Sequence, residues 1–219
     1  MELLLIGFLA GFAHVVTGPD HLAALAPCAS RDNGNAAIWH LGLRWGLGHA
    51  AGVAVIGLFL WLLKDTAAVE GLSAWAERLV GAVLIVVGAL GLQARFCGKI
   101  HSHEHHHSGV SHSHIHTHFS QADHRHSHAA LGIGLLHGMA GGSHLWVLLP
   151  TLAIGQLAGV TLYLAAYALA TVAAMTLFTA GLGSLAKRLA NRQPQWGHRF
   201  GLACCALTVS IGGYWLFAG

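Results

Sequence analysis

Apolar residues run through this chain in long blocks that end where polar or glycine-proline stretches begin. Six blocks are long enough to cross about 30 Å of hydrocarbon as helices. They lie near 3–29, 37–63, 73–94, 129–154, 157–186 and 197–218. The pattern predicts an all-α integral membrane protein with six transmembrane helices. Two blocks carry internal breakers. Pro19, behind Gly18, lacks an N–H and clashes with the carbonyl one turn back. Gly138, Gly141 and Gly142 loosen the fourth block in the same way. Helices 1 and 4 are therefore expected to be interrupted. The N-terminus lacks the basic stretch of a secretory leader, so residues 3–17 read as retained structure.

The two interrupted blocks also share a sequence. Residues 11–27 read GFAHVVTGPDHLAALAP and residues 134–150 read GLLHGMAGGSHLWVLLP. Without a gap they agree at Gly11/Gly134, His14/His137, Gly18/Gly141, His21/His144, Leu22/Leu145, Leu25/Leu148 and Pro27/Pro150. Lys64 and Lys187 keep the same offset one span later. Each copy holds three spans, and an odd number reverses orientation. The expectation is two inverted three-helix repeats, 1–95 and 129–219, joined by a loop at 96–128. In such folds binding sites sit near mid-membrane, on the broken helices.

Composition sharpens this picture. The chain has 219 residues, 55% hydrophobic and only 9% charged. A soluble domain would carry about a quarter charged residues. The net charge of +3 is small and spread over loops, so nucleic acid is not an expected partner. The four cysteines, Cys28, Cys97, Cys204 and Cys205, form neither a C-x-x-C pair nor a disulfide framework. Arg31, Arg95, Lys99, Arg125, Lys187, Arg188 and Arg192 fall in loops on one side, which the positive-inside rule makes cytoplasmic. The expected location is the inner (plasma) membrane, with both termini outside.

Ionisable residues within spans are functional by default. The candidates for one metal site are His14, Asp20, His21, His49, His137 and His144. His14 and His21 are seven apart, as are His137 and His144, so each pair shares a face of an unbroken helix. Imidazoles with one carboxylate suit late first-row divalent cations, whereas Mg and Ca prefer oxygen. Asp20 has no counterpart in the second copy, where Ser143 stands. The cation is thus expected nearer the first half and His49, with His137 and His144 set back. Arg44 reads as snorkelling to the membrane edge instead of pairing with Asp20. Residues 101–128 hold 12 of the 19 histidines, a metal-binding composition without a packed core.

The HVVTGPDH segment, the WGLGH segment of the next span and the His-rich loop together resemble the nickel/cobalt transporter group. That group takes in nickel permeases and His-rich efflux proteins, and is similar to the wider lysine-exporter-like superfamily. The resemblance implies a membrane transporter of divalent transition-metal cations, nickel or cobalt before zinc, working by alternating access. It implies no enzyme activity, no cofactor beyond the transported ion, and a cytoplasmic metal chaperone as a conceivable partner. Other readings of the same residues are an intramembrane His-ligated metalloenzyme, a haem protein with His14 and His137 as axial ligands, and an exporter of a non-metal substrate.

Overall fold

The computed structural model describes residues 1–30, 35–63, 66–96, 100–107, 110–117, 125–140 and 142–218. Among these described residues eight helices follow one another, with one hairpin between the fourth and fifth. They are α1 (Glu2–Thr17), α2 (Pro19–Ala29), α3 (Asn35–Leu63), α4 (Thr66–Phe96), α5 (Arg125–Met139), α6 (Gly142–Ala153), α7 (Leu157–Arg192) and α8 (Pro194–Ala218). Strands β1 (Ile100–His107) and β2 (Val110–Thr117) make an antiparallel pair. The membrane part is all-α, and the protein is a multi-pass membrane protein.

Both expected interruptions occur. Gly18 is extended between α1 and α2, and the two helix axes differ by 64°. Pro19 opens α2, a position where its missing N–H costs nothing. The second break separates α5, ending at Met139, from α6, starting at Gly142. By length and composition four helical segments cross a membrane: Ile38–Leu63, Glu70–Phe96, Leu157–Arg192 and Pro194–Phe217. The bent α1–α2 pair makes a fifth if it counts as one span, while the apolar part of α5, Ala129–Met139, is short. Helix α7 runs past its apolar block to Arg192, because Leu, Ala, Lys and Arg are all good helix formers.

Helix packing follows the sequence repeat. Helix α1 packs chiefly on α7, and α5 packs chiefly on α3. Both contacts rest on small residues, as they must where lipid tails offer no hydrophobic drive between helices. Gly7 and Gly11 of α1 lie against the backbone carbonyls of Tyr163 and Tyr167. Gly134 and Gly138 of α5 lie against those of Trp45 and His49, while Gly48 and Gly52 of α3 return the contact to Leu131 and Leu135. Gly11 and Gly134, aligned in sequence, thus each lie against a backbone carbonyl of a long helix. At one end of the bundle the guanidinium of Arg95 donates to the carbonyl (3.2 Å) and hydroxyl (3.0 Å) of Ser30. That puts a cation at the C-terminal end of α2, where the helix dipole favours it. Thr208 of α8 donates to the carbonyl of Ala23 at 2.7 Å and ties α8 to α2.

A side chain at Gly48 or Gly138 would collide with the facing backbone, whereas one at Gly132 meets nothing within 4 Å. Gly48→Val and Gly138→Val should each cost about 1–3 kcal/mol by overpacking. Gly132→Ala should be neutral. Thermal unfolding in detergent, followed by tryptophan fluorescence, checks this. An unchanged melting temperature for Gly138→Val would refute the close α3–α5 contact.

Candidate metal centre

The break after α1 builds the centre. His14 lies in the last turn of α1, and Asp20 in the first turn of α2. A helix N-terminus stabilises a carboxylate, so Asp20 sits where the local dipole favours it. His21 follows directly. His49 comes from α3, and His137 from the last turn of α5. All five are buried: His14 7%, Asp20 7%, His21 1%, His49 0% and His137 0% exposed.

Asp20 joins the two halves of the sequence. Its Oδ1 lies 3.1 Å from Nδ1 of His21, and its Oδ2 lies 2.9 Å from Nε2 of His137. With an imidazole N–H donating to each carboxylate oxygen, both acceptors are used. Each ring then keeps one nitrogen lone pair for another partner. The same carboxylate–imidazole contact orients ligands in metal sites. The rings are tightly grouped. Centroids of His14 and His21 are 4.5 Å apart, His21 and His49 4.8 Å, and His21 and His137 4.9 Å. His49 is 5.5 Å from both His14 and His137. Two triplets offer ligand atoms within 4.8 Å of one another: His14, His21 and His49, and Asp20, His21 and His137. His21 belongs to both, so it is the hinge of the centre.

Five of the six expected site residues thus meet. The side chain of His144 lies outside the described residues. One expectation changes: His137 is not set back, since it bonds Asp20 directly. Its broken helix carries it inward, and a buried carboxylate needs a partner on each oxygen. Arg44 is exposed and does not serve that purpose. A haem between His14 and His137 does not fit, because the packed rings leave no slot for a macrocycle. The described cysteines, Cys28, Cys204 and Cys205, belong to neither triplet.

Aromatic residues wall the cluster. Trp45 and Trp215 lie 6.2 Å and 5.5 Å from His137, and Tyr167 lies 5.9 Å from His14. Sequence reasoning passed over all three. Trp45 was findable, since it stands four residues before His49 and shares its helix face. Trp215 carries no such signal, because α8 has no histidine or carboxylate near it.

Fold and centre define a polytopic helical membrane protein with a buried histidine–carboxylate cluster. The chain belongs to the cytochrome c biogenesis protein transmembrane region family, whose model matches residues 3–214. Two Arabidopsis thaliana proteins are similar to it. Chloroplast protein FOR GROWTH AND FERTILITY 1 is 32% identical over 209 residues, covering 94% of this chain and 56% of that protein. Chloroplast protein FOR GROWTH AND FERTILITY 2 is 32% identical over 208 residues, covering 94% and 54%. The chain spans about half the length of these curated relatives. No solved structure matches.

These findings overturn the resemblance to nickel/cobalt transporters, and with it nickel or cobalt transport as the function. The likeness was carried by a few local residues. In the permease element four residues separate the first His from Asp; here five separate His14 from Asp20. One residue turns a helix by about 100°. The plasma-membrane location is also left without support, since the curated relatives are chloroplast proteins by name.

The Asp20–His137 contact is open to a double-mutant cycle. Asp20→Ala and His137→Ala should each destabilise the chain in detergent. Their combination should cost less than the sum, by about 1.5–3 kcal/mol for a charge-assisted bond. Strict additivity would mean that the two groups do not interact.

Proposed function

We propose that this chain is a polytopic membrane component of cytochrome c biogenesis whose working centre is a resident transition-metal ion. His14, His21, His49 and His137 supply the nitrogen ligands. Asp20 orients His21 and His137 and offsets the cation's charge. The observation that carries the reading is the bridging of both Asp20 oxygens to imidazoles from opposite halves of the sequence, within a buried group of four histidines. Imidazole-rich sites with one carboxylate favour late first-row divalent ions. The cytochrome c assignment rests on the family's description.

The architecture that suits this centre is six crossings in two inverted repeats. In it α1–α2 and α5–α6 are equivalent broken spans, and both breaks face mid-membrane. The reciprocal packing of α1 on α7 and α5 on α3 supports it. Basic loops and the His-rich hairpin then share one side of the membrane, with both termini on the other.

Two measurements test the proposal. The first is the metal content, after dialysis against EDTA, of the purified chain with the histidines of 101–116 replaced by serine. It should show about one ion per chain. His21→Ala and His137→Ala should weaken retention by about 10- to 100-fold. His40→Ala, at an exposed position of α3, should not. Equal retention by all variants would remove the metal. The second is haem staining of c-type cytochromes in cells lacking the gene. Their level should fall, and the wild-type chain should restore it where His137→Ala does not. Normal cytochromes in the deletion would remove the biogenesis role.

A further inference from the structure

The hairpin between the two halves orders its histidines in a way that composition alone does not convey. Strands β1 and β2 pair antiparallel, with His101 opposite His116, His103 opposite His114 and His105 opposite His112. The register closes with His107 opposite Val110. Residues along a strand alternate between faces, and directly opposed residues share a face. Positions 101, 103, 105, 107, 110, 112, 114 and 116 therefore fall on one face, and all but Val110 are histidine. The other face, 100, 102, 104, 106, 111, 113, 115 and 117, carries a single histidine, His106.

We propose that this face is a second metal site, separate from the intramembrane centre: a histidine ladder for borderline-soft divalent ions such as Zn²⁺. Opposed positions have Cβ atoms about 4.5–5.5 Å apart, a separation that two imidazoles of about 2.0–2.1 Å metal–nitrogen bonds can span. Successive rungs follow at about 6.6 Å, two residues along the strand. Two rungs together supply four neutral nitrogens, the ligand number of a tetrahedral ion. Acidic ligands are scarce, with Glu104 on the opposite face, so oxygen-seeking Ca²⁺ and Mg²⁺ are not candidates. Metal would add free energy to a pairing that has no apolar face of its own. A two-stranded hairpin is otherwise marginal in water.

A permutation of β2 separates a ladder from a tract that is merely rich in histidine. The variant Ser111→His, His112→Ser, Ser113→His, His114→Ser, Ile115→His, His116→Ile keeps composition and histidine number. It moves the three β2 imidazoles to the opposite face. Zn²⁺ is titrated into the full chain in detergent, in competition with a chromophoric chelator. Wild type should bind tightly at the hairpin, and the permuted chain about a hundredfold more weakly, because its three opposed histidine pairs fall to one, His106 with position 111, too few for four nitrogens on one ion. His106→Ser should leave affinity unchanged, and His105→Ser should lower it. Equal affinity in the permuted chain, or equal losses for His105→Ser and His106→Ser, would overturn the proposal. The buried centre is untouched by these changes and cancels in the comparison. Its own failure to bind metal would leave the ladder result standing.

Discussion

A carboxylate buried among the helices of a membrane protein is the most costly group this chain carries, and the surroundings of Asp20 follow from that cost. Breaking a buried pair by removing one partner typically costs about 3–5 kcal/mol. Here the carboxylate has two partners, from helices far apart in sequence. His21 is its neighbour on α2, but His137 is 117 residues away on α5. For both to reach one carboxylate, α1 must break at Gly18, and α5 must bring its last turn beside α3. Gly138 allows that second approach, since a side chain there would collide with the backbone of His49. Gly18 allows the first: a Cβ would run into the His21 ring and the Asp20 carboxylate. Packing and polar chemistry are therefore one requirement, met by glycines at the contacts.

The centre was legible in the sequence because a repeat exposed it. Histidine, glycine and proline are uncommon in lipid-facing helices, so their recurrence at a fixed offset pointed to His14, His21 and His137 before any contact was known. His49 followed from its place inside a span. The partnership of Asp20 with His137 was not legible, because the repeat gives equivalence and not distance. Ser143 opposite Asp20 suggested a lopsided site, yet the carboxylate reaches across and uses the second half as its own. The family was not legible either. Its signal extends over residues 3–214, whereas the eye is drawn to a His-Asp-His element a few residues long. The hairpin was missed for another reason. Alternation of His with Ser has a strand's period, but with no apolar face it reads as a solvated tract.

The likeness to chloroplast proteins covers nearly all of this chain but about half of each relative. The stretch of this chain that is similar to them takes in nearly its whole helical bundle. The bundle is thus the natural unit of comparison, and whatever the relatives do with their remaining length is theirs. Within the shared unit the described cysteines stay away from the cluster. Among the described residues, the ionisable groups gathered at the cluster are imidazoles and one carboxylate.

The two breaks also settle why a negative charge suits this place. Each broken span ends one helix and starts another within a few residues. The start of α2 carries Asp20 in its first turn, so a carboxylate answers the exposed N–H groups and the positive end of that helix. Without it, a cation entering the cluster would meet a helix N-terminus, which repels it. With it, the local field is near balance, and four neutral imidazoles can compete for a metal on coordination alone. One charge on one half is then sufficient.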